Sequence, residues 1–272
     1  MKIFETVSFH IVKPCNMKCK FCYATFEDLE NVKQMSLENA KIVVKKLKDA
    51  GVEKITFAGG EPLLYKHIEE LISYSKDIGL VTSIITNGLL LSVDLLKRLQ
   101  GKLDWVGVSI DSVNWETNQK IGRFQGSEQT KYYSLVHNIK TLGFKLKINT
   151  VVNKYNESED LYKFINYAQP SRWKIFDTLR VEGQNDKEFN EIKSTNFYGF
   201  VDRNIHTSMV VEDNESMIGS YLLIDPFGRL FENSQGKHTY SRSLIWNQID
   251  DCLYDIKLDR DMFIKRGGIY QW

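Results

Sequence analysis

The chain has 272 residues, 42% of them apolar, which is enough for one large α/β domain with a sizeable core. Its 36 basic and 35 acidic residues nearly cancel, so no overall positive field argues for a nucleic acid polymer as partner. Of the four cysteines three are grouped, which fits a reduced compartment and a metal or cluster site better than a disulfide framework.

Residues 5–12 read as a first strand, and a loop carrying Cys15, Cys19 and Cys22 follows it directly. Ser36 is placed to cap a helix that stops at Gly51. Strand patterns at 53–58, 81–85, 104–110, 144–152 and 172–177 then alternate with helix patterns around 66–79, 92–100, 128–142 and 158–168. Six β/α steps predict an α/β fold, a partial (β/α)6 barrel of the TIM type over residues 1–180. From about Glu182 the periodicity weakens, and residues 181–272 read as a C-terminal extension covering the barrel mouth. No apolar run approaches a membrane span and no signal peptide opens the chain, so a cytoplasmic protein with no membrane role is expected.

The cysteines lie in the octapeptide CNMKCKFC, a C-x3-C-x2-C triplet. Four thiolates would close a 4Fe–4S cluster, so three leave one iron free to chelate the amino and carboxylate groups of S-adenosylmethionine. On the triplet alone, a zinc site with His10 as fourth ligand also stands. Downstream, Lys54-Ile55-Thr56-Phe57-Ala58-Gly59-Gly60-Glu61-Pro62 reads as a buried strand ending in two glycines, an acid and a proline. Such an end exposes backbone groups to a close ligand, although the same residues also suit an ordinary strand-to-helix turn. Cys252 stands alone and reads as a small buried residue.

CNMKCKFC followed by AGGEP resembles the radical S-adenosylmethionine superfamily. Lys147-Ile148-Asn149, Arg172-Trp173-Lys174, Ser220-Tyr221-Leu222 and Lys265-Arg266-Gly267-Gly268 narrow the resemblance to its viperin-like members, along essentially the whole chain. The resemblance implies an antiviral nucleoside-triphosphate dehydratase. Its cofactors would be a 4Fe–4S cluster and S-adenosylmethionine, and a 5′-deoxyadenosyl radical would take hydrogen from ribose C4′ of CTP, UTP or GTP. The product would be a 3′-deoxy-3′,4′-didehydro nucleotide. An electron donor of the flavodoxin or ferredoxin type and a monomeric enzyme go with that picture. The alternative is a radical enzyme acting on a peptide or another small molecule.

Residue roles follow from the same resemblance. Cys15, Cys19 and Cys22 would hold the cluster, and Gly59, Gly60 and Glu61 the methionyl ammonium. Ser109 would meet the cofactor ribose. Arg123 would meet the carboxylate, or else the substrate or solvent. Lys54, Ala58, Lys147, Arg172, Lys174, Lys237 and Arg266 are the expected substrate contacts, with Arg242 an alternative to Lys237. Asn149 would lie near the substrate ribose and Tyr221 would deliver hydrogen to the product radical, though a tyrosine in Ser-Tyr-Leu-Leu-Ile also suits a core. Read from the residues alone, Lys147 and Asn149 share one face of a strand, as do Arg172 and Lys174 on the next, and charge facing inward needs a ligand or a partner.

Overall fold

Alternation of polar and apolar residues along the strands decides the architecture. In the computed structural model, which describes residues 4–31, 34–123 and 131–272, seven parallel strands stand side by side in chain order. They are β1 (Thr6–Val12), β2 (Lys54–Gly59), β3 (Val81–Thr86), β4 (Trp105–Ser109), β5 (Lys145–Val152), β6 (Arg172–Asp177) and β7 (Met209–Glu212). On β2, Ile55 and Phe57 are fully buried on the apolar side, whereas Lys54 and Thr56 line a cavity on the other. The same alternation on β6 buries Trp173 and Ile175 on the outside, where Trp173 Nε1 donates to Thr150 Oγ1 at 2.9 Å.

Helices α1 (Leu37–Asp49), α2 (Ile68–Asp77), α3 (Val93–Leu99), α4 (Trp115–Ile121), α5 (Tyr132–Thr141) and α6 (Tyr162–Ala168) connect these strands. Their apolar faces and the outer face of the sheet share one core. Ser36 caps α1 as expected, its hydroxyl accepting from the Asn39 amide at 3.2 Å. The helix expected over 128–142 is α5, and residues 128–130 lie outside those described. Helix α4 was not anticipated: Asn114 caps its start, and Gly122, at φ +91°, ends it in the left-handed region.

Beyond β6, helices α7 (Phe189–Ile192) and α8 (Phe197–Arg203) lead into β7, and α9 (Asn214–Met217) follows it. The chain then crosses to the far edge, where β8 (Leu223–Ile224) pairs parallel with β1. Strands β9 (Arg229–Glu232) and β10 (Thr239–Ser243) continue antiparallel before α10 (Ile249–Tyr254) and α11 (Arg260–Lys265). One ten-stranded sheet results, in the order β10-β9-β8-β1-β2-β3-β4-β5-β6-β7, with its two ends unpaired to each other: an open barrel. Residues after 181 add strands to both edges, and the segment around Tyr270 packs at the N-terminal ends of the strands rather than at the cysteine-loop mouth where the extension was expected.

Candidate active site

The three clustered cysteines sit where β1 ends. Their loop is pinned from several sides: the Lys18 and Lys20 amides donate to the Gly122 and Ile121 carbonyls at 3.1 and 2.9 Å, and Asn185 Nδ2 donates to Phe21 O at 2.9 Å. A Cβ on Gly122 would stand 2.1 Å from Lys18 O, so only glycine lets α4 approach this closely. The Met17 amide points at Cys15 Sγ from 3.4 Å, the kind of backbone donor that supports a cluster thiolate.

The turn after β2 wraps the same loop. Gly60 N donates to Val12 O at 2.7 Å and Glu61 N to Pro14 O at 2.8 Å, and a Cβ on Gly60 would fall 2.2 Å from the carbonyls of Lys13 and Pro14. The Glu61 carboxylate accepts from the Leu63 amide, the Thr86 hydroxyl and the Asn87 amide at 3.1, 2.7 and 2.9 Å, which ties the ends of β2 and β3 together. The sequence reading gave Glu61 a ligand role; its carboxylate also braces the mouth. Asn87 Nδ2 donates to Asn16 Oδ1 at 2.6 Å beside Cys15, tying the end of β3 to the cysteine loop.

These residues fit a 4Fe–4S cluster. Three thiols come from one braced loop with a backbone donor on one of them. Burial pushes Cys15 up to about 11, Cys19 up to about 12 and Cys22 upward too, as expected of thiols whose thiolate form needs metal to offset desolvation. His10, the fourth ligand of the zinc reading, is engaged elsewhere: its Nε2 meets Tyr23 Oη at 3.2 Å within a cage of Phe26 and Phe231. Among the described residues, no three His, Cys, Asp or Glu side chains gather as they would around a single metal ion.

Arg123 is placed beside this loop, but its guanidinium is ion-paired to Asp111 at the end of β4, with both side chains nearly inaccessible. Burial works against its charge, but Asp111, with smaller contributions from Cys19 and Tyr132, more than offsets that and holds Arg123 above the ordinary arginine range. Asp111 Oδ1 also accepts from the Val151 amide at 2.8 Å.

Deeper in the barrel lies a nest of cations. Lys54, Lys147, Lys174 and Arg266 line a small cavity with Tyr221 and Tyr270, and Arg172 stands alongside. The register orders them by depth: Gly107, Lys147 and Arg172 lie level across β4 to β6, and Ser109, Asn149 and Lys174 form the next inward row towards the cysteine loop. Lys54 opens β2 and is the deepest. Its Nζ sits 4.2 Å from the Trp105 ring centroid and 4.6 Å from that of Tyr270. Burial, with Lys147, Arg172 and Lys145 adding like charge, lowers Lys54 to about 6. Lys147 is lowered to about 8 by burial, with Glu212 opposing.

One buried carboxylate, Glu212, closes β7 and pairs with Lys174 and Arg266, and its charge also reaches Lys147 and Arg172. Lys174 Nζ pairs with Glu212 and donates to Tyr221 Oη at 2.9 Å, while the Tyr221 hydroxyl donates to Glu212. Arg266 lies 3.5 Å from the Tyr221 ring centroid, its Nη1 is 3.5 Å from Glu212, and its Nε and Nη2 donate to Ser220 O. Asn149 Oδ1 and Arg172 Nε are buried and take no partner among the described residues. Inward cations matched to acids would make a structural barrel interior; this one holds more basic side chains than acidic ones, with orphaned polar atoms beside them.

Ala58 lies on β2 two residues above Thr56, on the same side as Lys54. Lys237 does not join the nest lining: it is exposed and its backbone bridges to Glu182. Arg242 is held at the surface by Asp255, Nε to Oδ2 at 2.9 Å. Lys265 is exposed, whereas its neighbour Arg266 is buried. Sequence reasoning missed Glu212, Asp111 and Tyr270. Glu212 ends a four-residue strand, too short for a period to be counted, and Tyr270 reaches the nest only through tertiary folding of the tail.

Residues 11–168 match the Radical SAM superfamily. An S-adenosylmethionine-dependent nucleotide dehydratase of Flammeovirga pacifica is 40% identical, over 99% of this chain and 97% of its own. One of Lacinutrix mariniflava is 44% identical over 98% of this chain, which spans 58% of that longer protein. The Danio rerio dehydratase RSAD2 is 33% identical, over 98% of this chain and 78% of that one. Among solved structures, Streptococcus suis SuiB bound to S-adenosylmethionine superposes with TM-score 0.68 at 16% identity, covering 98% of this chain and 68% of that one. Native anSMEcpe with bound AdoMet gives TM-score 0.64 at 15% identity over 93% and 81%. At that identity the two structures share the fold alone.

Proposed function

The chain belongs to the radical SAM superfamily and, within it, to the S-adenosylmethionine-dependent nucleotide dehydratases, and we propose that it removes water from a ribonucleoside triphosphate, CTP, UTP or GTP, to give the 3′-deoxy-3′,4′-didehydro analogue. One observation carries the substrate class: Lys54, Lys147, Lys174 and Arg266 line one cavity inside the barrel with Arg172 alongside, and the carboxylate paired there, Glu212, is ion-paired only with Lys174 and Arg266 among the described residues. A triphosphate supplies the missing negative charge, and charge-assisted bonds to it are strong in so dry a place.

Depth sets the orientation. The phosphates run down towards Lys54, so the ribose stands at the level of Ser109 and Asn149, facing the cysteine loop. Cys15, Cys19 and Cys22 would hold the cluster, and the backbone of Gly59, Gly60 and Glu61 would border S-adenosylmethionine. When bound, that pair supplies a carbon-centred radical able to take the hydrogen at ribose C4′. The protein's own part is to fix the sugar through Asn149, neutralise the phosphates, and present Tyr221 as hydrogen donor. A one-electron donor of the flavodoxin or ferredoxin type serves the reaction. A nucleotide without a 3′-hydroxyl ends polymerase chains, which gives the product its use in antiviral defence.

The test is anaerobic reconstitution, then incubation with S-adenosylmethionine, reductant and each triphosphate separately. Deoxyadenosine stimulated by one triphosphate, with that nucleotide lighter by one water, is the expected result. Deoxyadenosine at one low rate whatever nucleotide is present would overturn it and move the search to peptides or other small molecules. Lys147→Ala is the matching variant, since its side chain has no hydrogen-bond or ion-pair partner among the described residues to leave stranded. It should weaken triphosphate binding at least about tenfold with cluster content intact.

A further inference from the structure

Glu212 is unexplained by substrate binding: a carboxylate among phosphate-binding cations repels the ligand it sits beside. It is fully buried, yet stays ionised. Burial pushes its carboxyl up, but Lys174 and Arg266 outweigh that and hold it below the ordinary range. Burial drives Lys174 well below the ordinary lysine range, Glu212 opposes the shift, and Arg266 and Lys147 add to it. Glu212 is thus the group that opposes loss of the Lys174 proton, and the two side chains are in direct contact. It also accepts the phenolic hydrogen of Tyr221. Arg172 and Tyr270 complete the charged and titratable groups facing it.

We propose that Glu212 is a positioning residue of the dehydration, joining Lys174 and Tyr221 into one relay that supplies the proton and the electron the loss of water consumes. This rests on the dehydratase reading. Once C4′ has lost a hydrogen atom, breaking the C3′–O bond heterolytically releases hydroxide, which needs one proton, and leaves the sugar needing one electron. Lys174, level with Asn149 and the uppermost of these cations, gives the proton and becomes an amine. Tyr221 gives the electron; its phenolic proton passes to Glu212 Oε2, and Glu212 returns a proton to Lys174 through the contact between them. The net change in the protein is one hydrogen atom lost from Tyr221. The enzyme's one-electron donor and a solvent proton restore it.

The experiment compares reconstituted wild type with Glu212→Gln and Glu212→Asp. Three quantities are read: triphosphate dissociation constant, deoxyadenosine formed, and dehydrated nucleotide formed. In Glu212→Gln, triphosphate affinity should change by less than about tenfold, because the lost repulsion and the weakened Lys174 ammonium act in opposite directions. Deoxyadenosine should still form on triphosphate addition, but dehydrated nucleotide per deoxyadenosine should fall at least about tenfold, the scale of a lost proton-transfer partner. Glu212→Asp should recover most of that ratio. An unchanged ratio in Glu212→Gln, or loss of triphosphate binding in both variants, overturns the proposal, the second outcome marking Glu212 as structural. Absence of dehydrated nucleotide from wild type itself would overturn the dehydratase reading, and the relay with it.

Discussion

Lys54 and Tyr270, 216 residues apart, meet through a 2.5 Å hydrogen bond from Lys54 Nζ to Tyr270 Oη at the N-terminal ends of the strands. The tail is pinned there twice, because Arg172 Nη2 donates to Gly267 O at 2.7 Å and its guanidinium lies 4.0 Å from the Tyr270 ring centroid. The floor of the nest is therefore made by the end of the chain. Tyr270→Ala should loosen it, lowering the melting temperature and making the residues after 266 more open to proteolysis, while Tyr270→Phe should keep the Arg172 contact and cost about 1 kcal/mol.

Binding should take up protons. Lys54, lowered to about 6, is largely neutral at pH 7.5 in the free protein, and the proposed triphosphate should make it an ammonium on binding. Calorimetry of triphosphate binding in buffers of different ionisation heat should show net proton uptake at pH 7.5 and tighter binding towards pH 6. Lys54→Met should remove most of the uptake. The sign for stability is the reverse of a salt-bridged lysine. Between about 6 and the unfolded value near 10.4 the unfolded chain holds more protons at this residue, so Lys54 makes the ligand-free protein more stable as pH rises.

Gly60→Ala tests the coupling of the β2 turn to the cysteine loop. A methyl there meets two carbonyls at 2.2 Å, so the loop must move. The expected outcome is a chain of near-native circular dichroism that takes up much less iron and sulfide on reconstitution. Full cluster content would show that the loop adapts.

Asp111 and Arg123 form a buried ion pair, and breaking such a pair typically costs about 3–5 kcal/mol. Asp111→Asn and Arg123→Met should each reach that range in urea melts. Their double variant should cost clearly less than both together, because no uncompensated charge is left.

The strand alternation and both halves of the cluster site were legible because they are local: a triplet within eight residues, a glycine pair at a strand end, and lysines two apart on β5. The register that sets Lys147 level with Arg172 and Asn149 level with Lys174 could be inferred only as a shared face. What remained hidden is long-range. Glu212 reaches the nest by β7 extending the sheet, and Tyr270 by the tail folding under it. Arg123, expected at the cofactor carboxylate or else at the substrate or solvent, is ion-paired with Asp111, a partner that no local spacing reveals. Lys237 carries the right charge but stands exposed, which a variable loop gives no means of reading.

The proposed separation in depth between phosphate grip and sugar would have a kinetic cost. On the proposed substrate, dehydration would alter the sugar and leave all three phosphates in place, so the departing nucleotide would keep every proposed contact with Lys54, Lys147 and Arg172 that the arriving one made. Such a grip cannot distinguish the two, and release of product becomes the step that rations turnover. Initial rates with added didehydro nucleotide should show competitive inhibition with a constant close to the substrate's own, and inorganic tripolyphosphate, which has no sugar at all, should inhibit by the same route.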